Sequence, residues 1–157
     1  MKTVRTLTLA AIAATLLFQT SITLTAAKAP LRIAFQKCFV EDRGPFGGHY
    51  AGTVDGDLGS GTVNFTFASL VPGAVVWQFS GVYTITTQNY TVIAYADGID
   101  NLQSTPGHDL NVFGHDVLNG MVIGGSHLGA RVHVSAQDVE KGTCSEGTIT
   151  ITPSNER

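Results

Sequence analysis

The closing stretch of the chain carries its clearest pattern. In Arg131-Val132-His133-Val134-Ser135-Ala136-Gln137 the apolar residues Val132, Val134 and Ala136 alternate with polar ones, and Gly147-Thr148-Ile149-Thr150-Ile151-Thr152 alternates likewise. Period two is what a strand with one buried face requires. Asp138 to Gly142, between the two arms, reads as a turn, so the end of the chain predicts a hairpin. The same period recurs upstream. Leu31 to Val40 sets Leu31, Ile33, Phe35, Lys37 and Phe39 on one face and Cys38 on the other. His49 to Leu58 alternates Tyr50, Gly52 and Val54 against His49, Ala51, Thr53 and Asp55, and Thr62 to Leu70 sets Val63, Phe65 and Phe67 against Thr62, Asn64 and Thr66. Val75 to Thr87 is the longest strand candidate, with Trp77, Phe79, Tyr83 and Ile85 on one parity and a bend at Gly81. Tyr90 to Ala96 follows. Asp97 to His108 shows no pattern and reads as an exposed loop, and Asp109 to Ile123 reads as a stretch broken by Gly114 and Gly120.

Turn chemistry separates these runs: Glu41 to Gly48, Gly59-Ser60-Gly61, Pro72-Gly73, Gln88-Asn89 and Gly124 to His127. No window carries a helical stripe, and Val, Ile, Thr and aromatic residues suit strands. The expected fold is all-β, a single antiparallel barrel of eight or nine strands, with a two-sheet sandwich as the alternative. An outer-membrane barrel fits the length and the alternation, but it needs an outward apolar band and aromatic girdles. The final strand instead offers Thr148, Thr150 and Thr152 on one face, followed by Pro153.

The start of the chain is of another kind. Lys2 and Arg5 precede the uncharged, mostly apolar run Leu7 to Phe18, and small residues close the segment at Ala26-Ala27-Lys28-Ala29. Residues 1–29 read as a secretory signal peptide, cleaved after residue 26, 27 or 29, rather than as an uncleaved anchor. The domain expected to fold is 30–157, about one core's worth of chain. From Pro30 onward six basic residues stand against twelve acidic ones, a formal charge of −6 compared with −3 for the whole sequence. An acidic domain lacks the positive face that phosphates demand, so nucleic acid is not an expected partner. It has no basic cluster for an anionic membrane surface either, and the mature chain is expected to have no membrane span. Secretion or a periplasmic location makes the two cysteines, Cys38 and Cys144, most simply a disulfide, with two buried thiols as the competing reading. A bond between them would bring the first and last strands together.

Candidate chemistry is sparse. Five histidines include His108-Asp109 and His115-Asp116, seven residues apart, with His127 and His133 beyond them. An odd spacing points His108 and His115 to opposite faces of one strand, so no metal site is expected. Arg131 and His133 share a polar strand face with Ser135 and Gln137, which is either solvated or turned into a lumen as part of a ligand site. Trp77, Phe79 and Tyr83 either line a lumen for a small apolar ligand or simply fill the core. Glu146, Asp55 and Asp57 supply carboxylates, but nothing in their spacing makes them meet as a glycosidase pair would. Asn64-Phe65-Thr66 and Asn89-Tyr90-Thr91 are glycosylation sequons that also suit strand and turn. No nucleophile elbow, zincin, phosphate-loop or Cys-x-x-Cys motif is present, so no catalytic residue is assigned and no cofactor is expected.

The last third of the chain resembles small secreted bacterial proteins whose final hairpin reads Gly-Ala-x-Val-His and then Cys-x-x-Gly-Thr-Ile. The matching residues are Gly129, Ala130, Val132 and His133, then Cys144, Gly147, Thr148 and Ile149. That resemblance implies a calycin-like barrel similar to the allene oxide cyclase and dirigent folds. Allene oxide cyclases work without a metal or organic cofactor, steering an unstable epoxide inside a lumen. No motif of theirs maps onto residues here. The sequence therefore leads to two expectations: a binding module for a small apolar ligand (or an envelope-associated domain), and a cofactor-independent isomerase or cyclase.

Overall fold

A computed structural model describes residues 28–43, 47–104, 112–139 and 143–154. Eight strands follow one another: β1 (Leu31–Asp42), β2 (Gly48–Gly56), β3 (Gly61–Val71), β4 (Val76–Thr87), β5 (Thr91–Ser104), β6 (Val112–Gly125), β7 (Arg131–Val139) and β8 (Cys144–Thr152). Each pairs antiparallel with the next, and β8 returns to β1, so the sheet closes into a barrel with no free edge. No helix occurs among the described residues. Residues 1–27, nearly all of the segment read as a signal peptide, lie outside them, as do His108 and Asp109.

Closure explains the alternation. One parity of every strand turns inward, where Ile33, Val54, Val63, Ile85, Val92, Val122, Val132, Ile149 and Ile151 are buried. The other parity turns outward and is rich in polar residues, among them Arg32, Gln36, Thr62, His133 and Glu146. At about eight strands a barrel interior is just wide enough for side chains to fill it or for one small ligand.

The two cysteines meet where the first and last strands close the barrel. Cys38 and Cys144 are directly opposite each other on β1 and β8, with Cα atoms 3.9 Å apart, and are joined by a disulfide. Such a bond is consistent with an extracellular or periplasmic location.

Two expectations need correction. Asp97 to Ser104 is not a loop but the second half of β5, laddered to β4 from Val76 to Ser80 and to β6 from Val112 to Asn119. The pattern failed there because the inward positions are Gly98 and Asp100, neither of which resembles a core residue. Nor do glycines break the next stretch: β6 runs unbroken through Gly114 and Gly120. A Cβ at Gly114 would collide with the Asp100 carboxyl, and one at Gly120 with the Tyr95 carbonyl oxygen, so both glycines permit close approach within the sheet.

Ladder direction gives the barrel two unlike ends. One carries the turns at 57–60, 88–90 and 126–130 and is filled by apolar side chains, with Leu58 and Ala130 buried there. At the other, β1, β3, β5 and β7 end and β2, β4, β6 and β8 begin. Toward this second end the inward-facing residues become charged.

Candidate functional site in the barrel lumen

Inside the second end the lumen has two different walls. Strands β1 to β4 supply rings. Phe65 packs against Tyr83, Phe67, Phe79 and Tyr50 at centroid distances of 4.6, 5.0, 6.1 and 6.4 Å, and Phe35 meets Tyr83 edge-on at 6.3 Å. Offset and edge-to-face geometries of this kind add about 0.5–1.5 kcal/mol per pair beyond area burial. Strands β5 to β7 supply carboxyls: Asp100, Asp116 and Asp138 all stand on inward-facing positions. Asp100 is directly opposite Asp116 across β5 and β6, and Asp116 opposite Ala136 on β7.

Lys37 lies between the walls. It follows Ile33 and Phe35 on the inward parity of β1, and the residue is only 4% exposed. Its Nζ donates to Ser145 Oγ at 2.7 Å. The same nitrogen lies 4.9 Å from the Tyr50 ring centroid, 5.1 Å from that of Phe65 and 5.7 Å from that of Phe35. Among the described residues no carboxylate lies within ion-pair distance of it. Directly opposite Lys37 stand Gly52 on β2 and Ser145 on β8, both small, so aromatic rings and carboxyls make up the rest of its surroundings.

Burial sets the charges of this group. Desolvation lowers the Lys37 amine below the usual lysine value, opposed by the carboxylates of Asp116, Asp138 and Asp100 in that order. Desolvation pushes the Asp116 carboxyl up to about 7, with Lys37 pulling it down and the other two aspartates pushing it up. Asp100 rises to about 6, chiefly through burial and then through Asp138. Burial raises Asp138 as well, partly offset by the Gly114 N–H, which donates to its Oδ2 at 3.1 Å. Tyr83 is raised well above the ordinary tyrosine value by burial, and its hydroxyl has no hydrogen-bond partner among the described residues. Burial thus shifts the amine toward its free base and the carboxyls toward their acids, relative to the same groups in water.

Exposure falls off along the lumen. Tyr50, Asp100 and Asp138 are half-exposed, whereas Lys37, Asp116 and Tyr83 beneath them are buried. Phe65 is buried beside Tyr83.

The residues singled out from sequence separate. Phe79 and Tyr83 face the lumen but pack into the ring cluster, so they fill the core at this level. Trp77 stands on the same inward parity at the half-exposed end, opposite Asp100, and its indole N–H donates to Gly73 O at 3.0 Å. Arg131 and His133 are on the outer wall, exposed, where His133 Nδ1 is 2.9 Å from Asn119 Oδ1. With Thr152 they border a shallow external groove. His115 also faces outward while its neighbour Asp116 faces in, and Glu146 is exposed opposite Gln36 and Gln137.

Sequence reasoning passed over Lys37, Asp100, Asp116 and Asp138. A signal existed for Lys37, a lysine on the same parity as Ile33 and Phe35. Asp116 likewise shares the parity of Leu118 and Val122. Asp100 and Asp138 had none, because both lay in stretches read as loop and turn.

Neither protein-family models, nor curated proteins, nor solved structures give a match to this chain.

Proposed function

We propose that the protein binds a small neutral ligand in its lumen, admitted at the end of the barrel where Tyr50, Asp100 and Asp138 are half-exposed. The ligand's apolar body rests against Phe35, Tyr50 and Phe65, and its polar head meets Lys37 and Asp116. One observation carries this reading: a lysine and three carboxyls point into the interior of the barrel. Buried charges are often replaced by apolar residues at no loss of stability, so their presence favours a role other than stability. Three acids lining one wall disfavour an anion, and the buried rings disfavour a strongly hydrated cation. A calycin-like ancestry would agree with a lumen site.

Trp77, the chain's one tryptophan, stands at the entrance to this site and reports on it. Titration with small aromatic alcohols is expected to change its fluorescence saturably. The change should be lost in Lys37→Met and kept in the outer-wall variant Arg131→Ala/His133→Ala. A response that follows the outer wall instead sinks the lumen reading.

The second reading, a cofactor-independent isomerase or cyclase of the allene oxide cyclase or dirigent type, draws on one further observation. An acid raised to about 7 beside an amine lowered by burial is what proton transfer at neutral pH calls for. Exchange of α-protons of an enolisable ketone in deuterium oxide, followed by proton NMR, tests it. Equal rates for the native protein and Asp116→Asn would discard it.

A further inference from the structure

We propose that Lys37 captures small aldehydes or ketones as an imine inside the barrel, with Asp116 moving the protons. This rests on the lumen-binding reading and names its ligand class.

A lysine becomes a nucleophile when it is desolvated and uncharged, and an apolar pocket is one way to reach that state. Lys37 is desolvated by its position, and burial lowers its amine toward the free base: it is buried, its Nζ faces three aromatic rings, and Ser145 Oγ holds it at 2.7 Å. An ammonium has three donors, and a structural lysine buried this deeply would normally be ion-paired, which Lys37 is not among the described residues. A carbonyl compound also fits the other constraints. It is neutral, so the acidic wall does not repel it, and its apolar substituents suit the ring wall. Of the surrounding carboxyls, Asp116 acts most strongly on the amine, and it is the most deeply buried of the three.

The chemistry balances without any further reagent. The Nζ lone pair attacks the carbonyl carbon, forming the C–N bond, and one N–H proton passes to the former carbonyl oxygen to give a carbinolamine. The Asp116 carboxylic acid then protonates that hydroxyl, the C–O bond breaks and water leaves. The resulting iminium returns its N–H proton to the Asp116 carboxylate. One amine and one carbonyl give one imine and one water, and Asp116 ends as it began.

The test uses the protein as it stands, with trans-cinnamaldehyde as probe, sodium cyanoborohydride to trap the adduct, and peptide mapping by mass spectrometry. The adduct is expected on Lys37 at least about tenfold ahead of the chain's other lysines and its amino terminus. Asp116→Asn should slow it by about 10²-fold, the lower range of general acid–base contributions, while mapping to the same residue. Its rate should fall above about pH 7, as Asp116 ionises. Cinnamyl alcohol, which cannot form an imine, is titrated in parallel through Trp77 fluorescence. If the alcohol binds and Lys37 stays unlabelled, imine capture is overturned and the binding site stands. If neither reacts nor binds, both fall. Labelling spread evenly over the lysines also overturns the proposal.

Discussion

Lys37 Nζ donates to Ser145 Oγ inside the barrel one residue away from Cys38–Cys144, which join the same two strands. Adjacent residues on a strand point to opposite faces, so the disulfide clamps the outer side of the seam while the amine and hydroxyl meet on the inner side. The covalent bond therefore fixes the strand pairing beside which the buried Lys37 amine is held.

Breaking that bond should cost both stability and placement. The Cys38→Ser/Cys144→Ser variant frees a closure spanning 106 residues and is expected to lose about 2–5 kcal/mol. Urea unfolding with and without reductant measures the loss. If the reduced native protein and the variant both unfold at the midpoint of the oxidised protein, the seam is not a stabilising element.

Lys37→Met should leave stability unchanged or raise it by up to about 3 kcal/mol, because it keeps the side-chain length and removes a buried amine. Lys37→Ala, by contrast, removes packed methylenes and is expected to cost about 2–3 kcal/mol. Paired denaturation curves decide. A Lys37→Met protein several kcal/mol weaker than the parent would make the lysine structural and remove the main support for a ligand site.

Stability should fall as pH rises from about 4 to about 7. Asp116 moves from 3.8 to about 7 on folding and Asp100 from 3.8 to about 6, so the native state keeps protons here that the unfolded chain releases. At about 1.4 kcal/mol per tenfold change in proton affinity, Asp116 alone contributes on the order of 4 kcal/mol across this window. Lys37 has the opposite sign in the alkaline range. Its lowered value means that the unfolded chain holds a proton the native state has given up, so its contribution rises with pH up to the ordinary lysine value. Urea midpoints at several pH values should show the acidic slope for the parent and a much flatter one for Asp116→Asn. An identical slope in the two proteins would place the effect elsewhere.

Tyr83→Phe removes a buried hydroxyl that has no partner among the described residues and leaves the ring contacts with Phe35 and Phe65 in place. It is expected to be neutral or to stabilise by about 1 kcal/mol. Thermal unfolding tests this, and a loss beyond about 1 kcal/mol would show that the hydroxyl is satisfied in solution.

Most of the barrel is legible in the chain because a closed sheet with a dry interior imposes one rule throughout: alternate residues must be apolar. Where Val63, Phe65 and Phe67, or Val132, Val134 and Ala136, obey it, strand and face are read directly. Where the lumen is polar, the rule lapses. Asp97 to Ser104 looked like loop because its inward positions, Gly98 and Asp100, belong to the charged end of the barrel.

By itself the sequence determined the all-β class, the strand faces in the apolar half and the pair of cysteines able to close the sheet, since period two and cysteine chemistry are local or nearly so. Tertiary structure alone decided that Lys37, Asp100, Asp116 and Asp138, drawn from four strands, share one lumen, and that Arg131 and His133 stand outside it. Register around a closed barrel depends on every ladder at once. No local pattern carries that information, and the charges that meet inside are the residues a hydrophobic pattern discards.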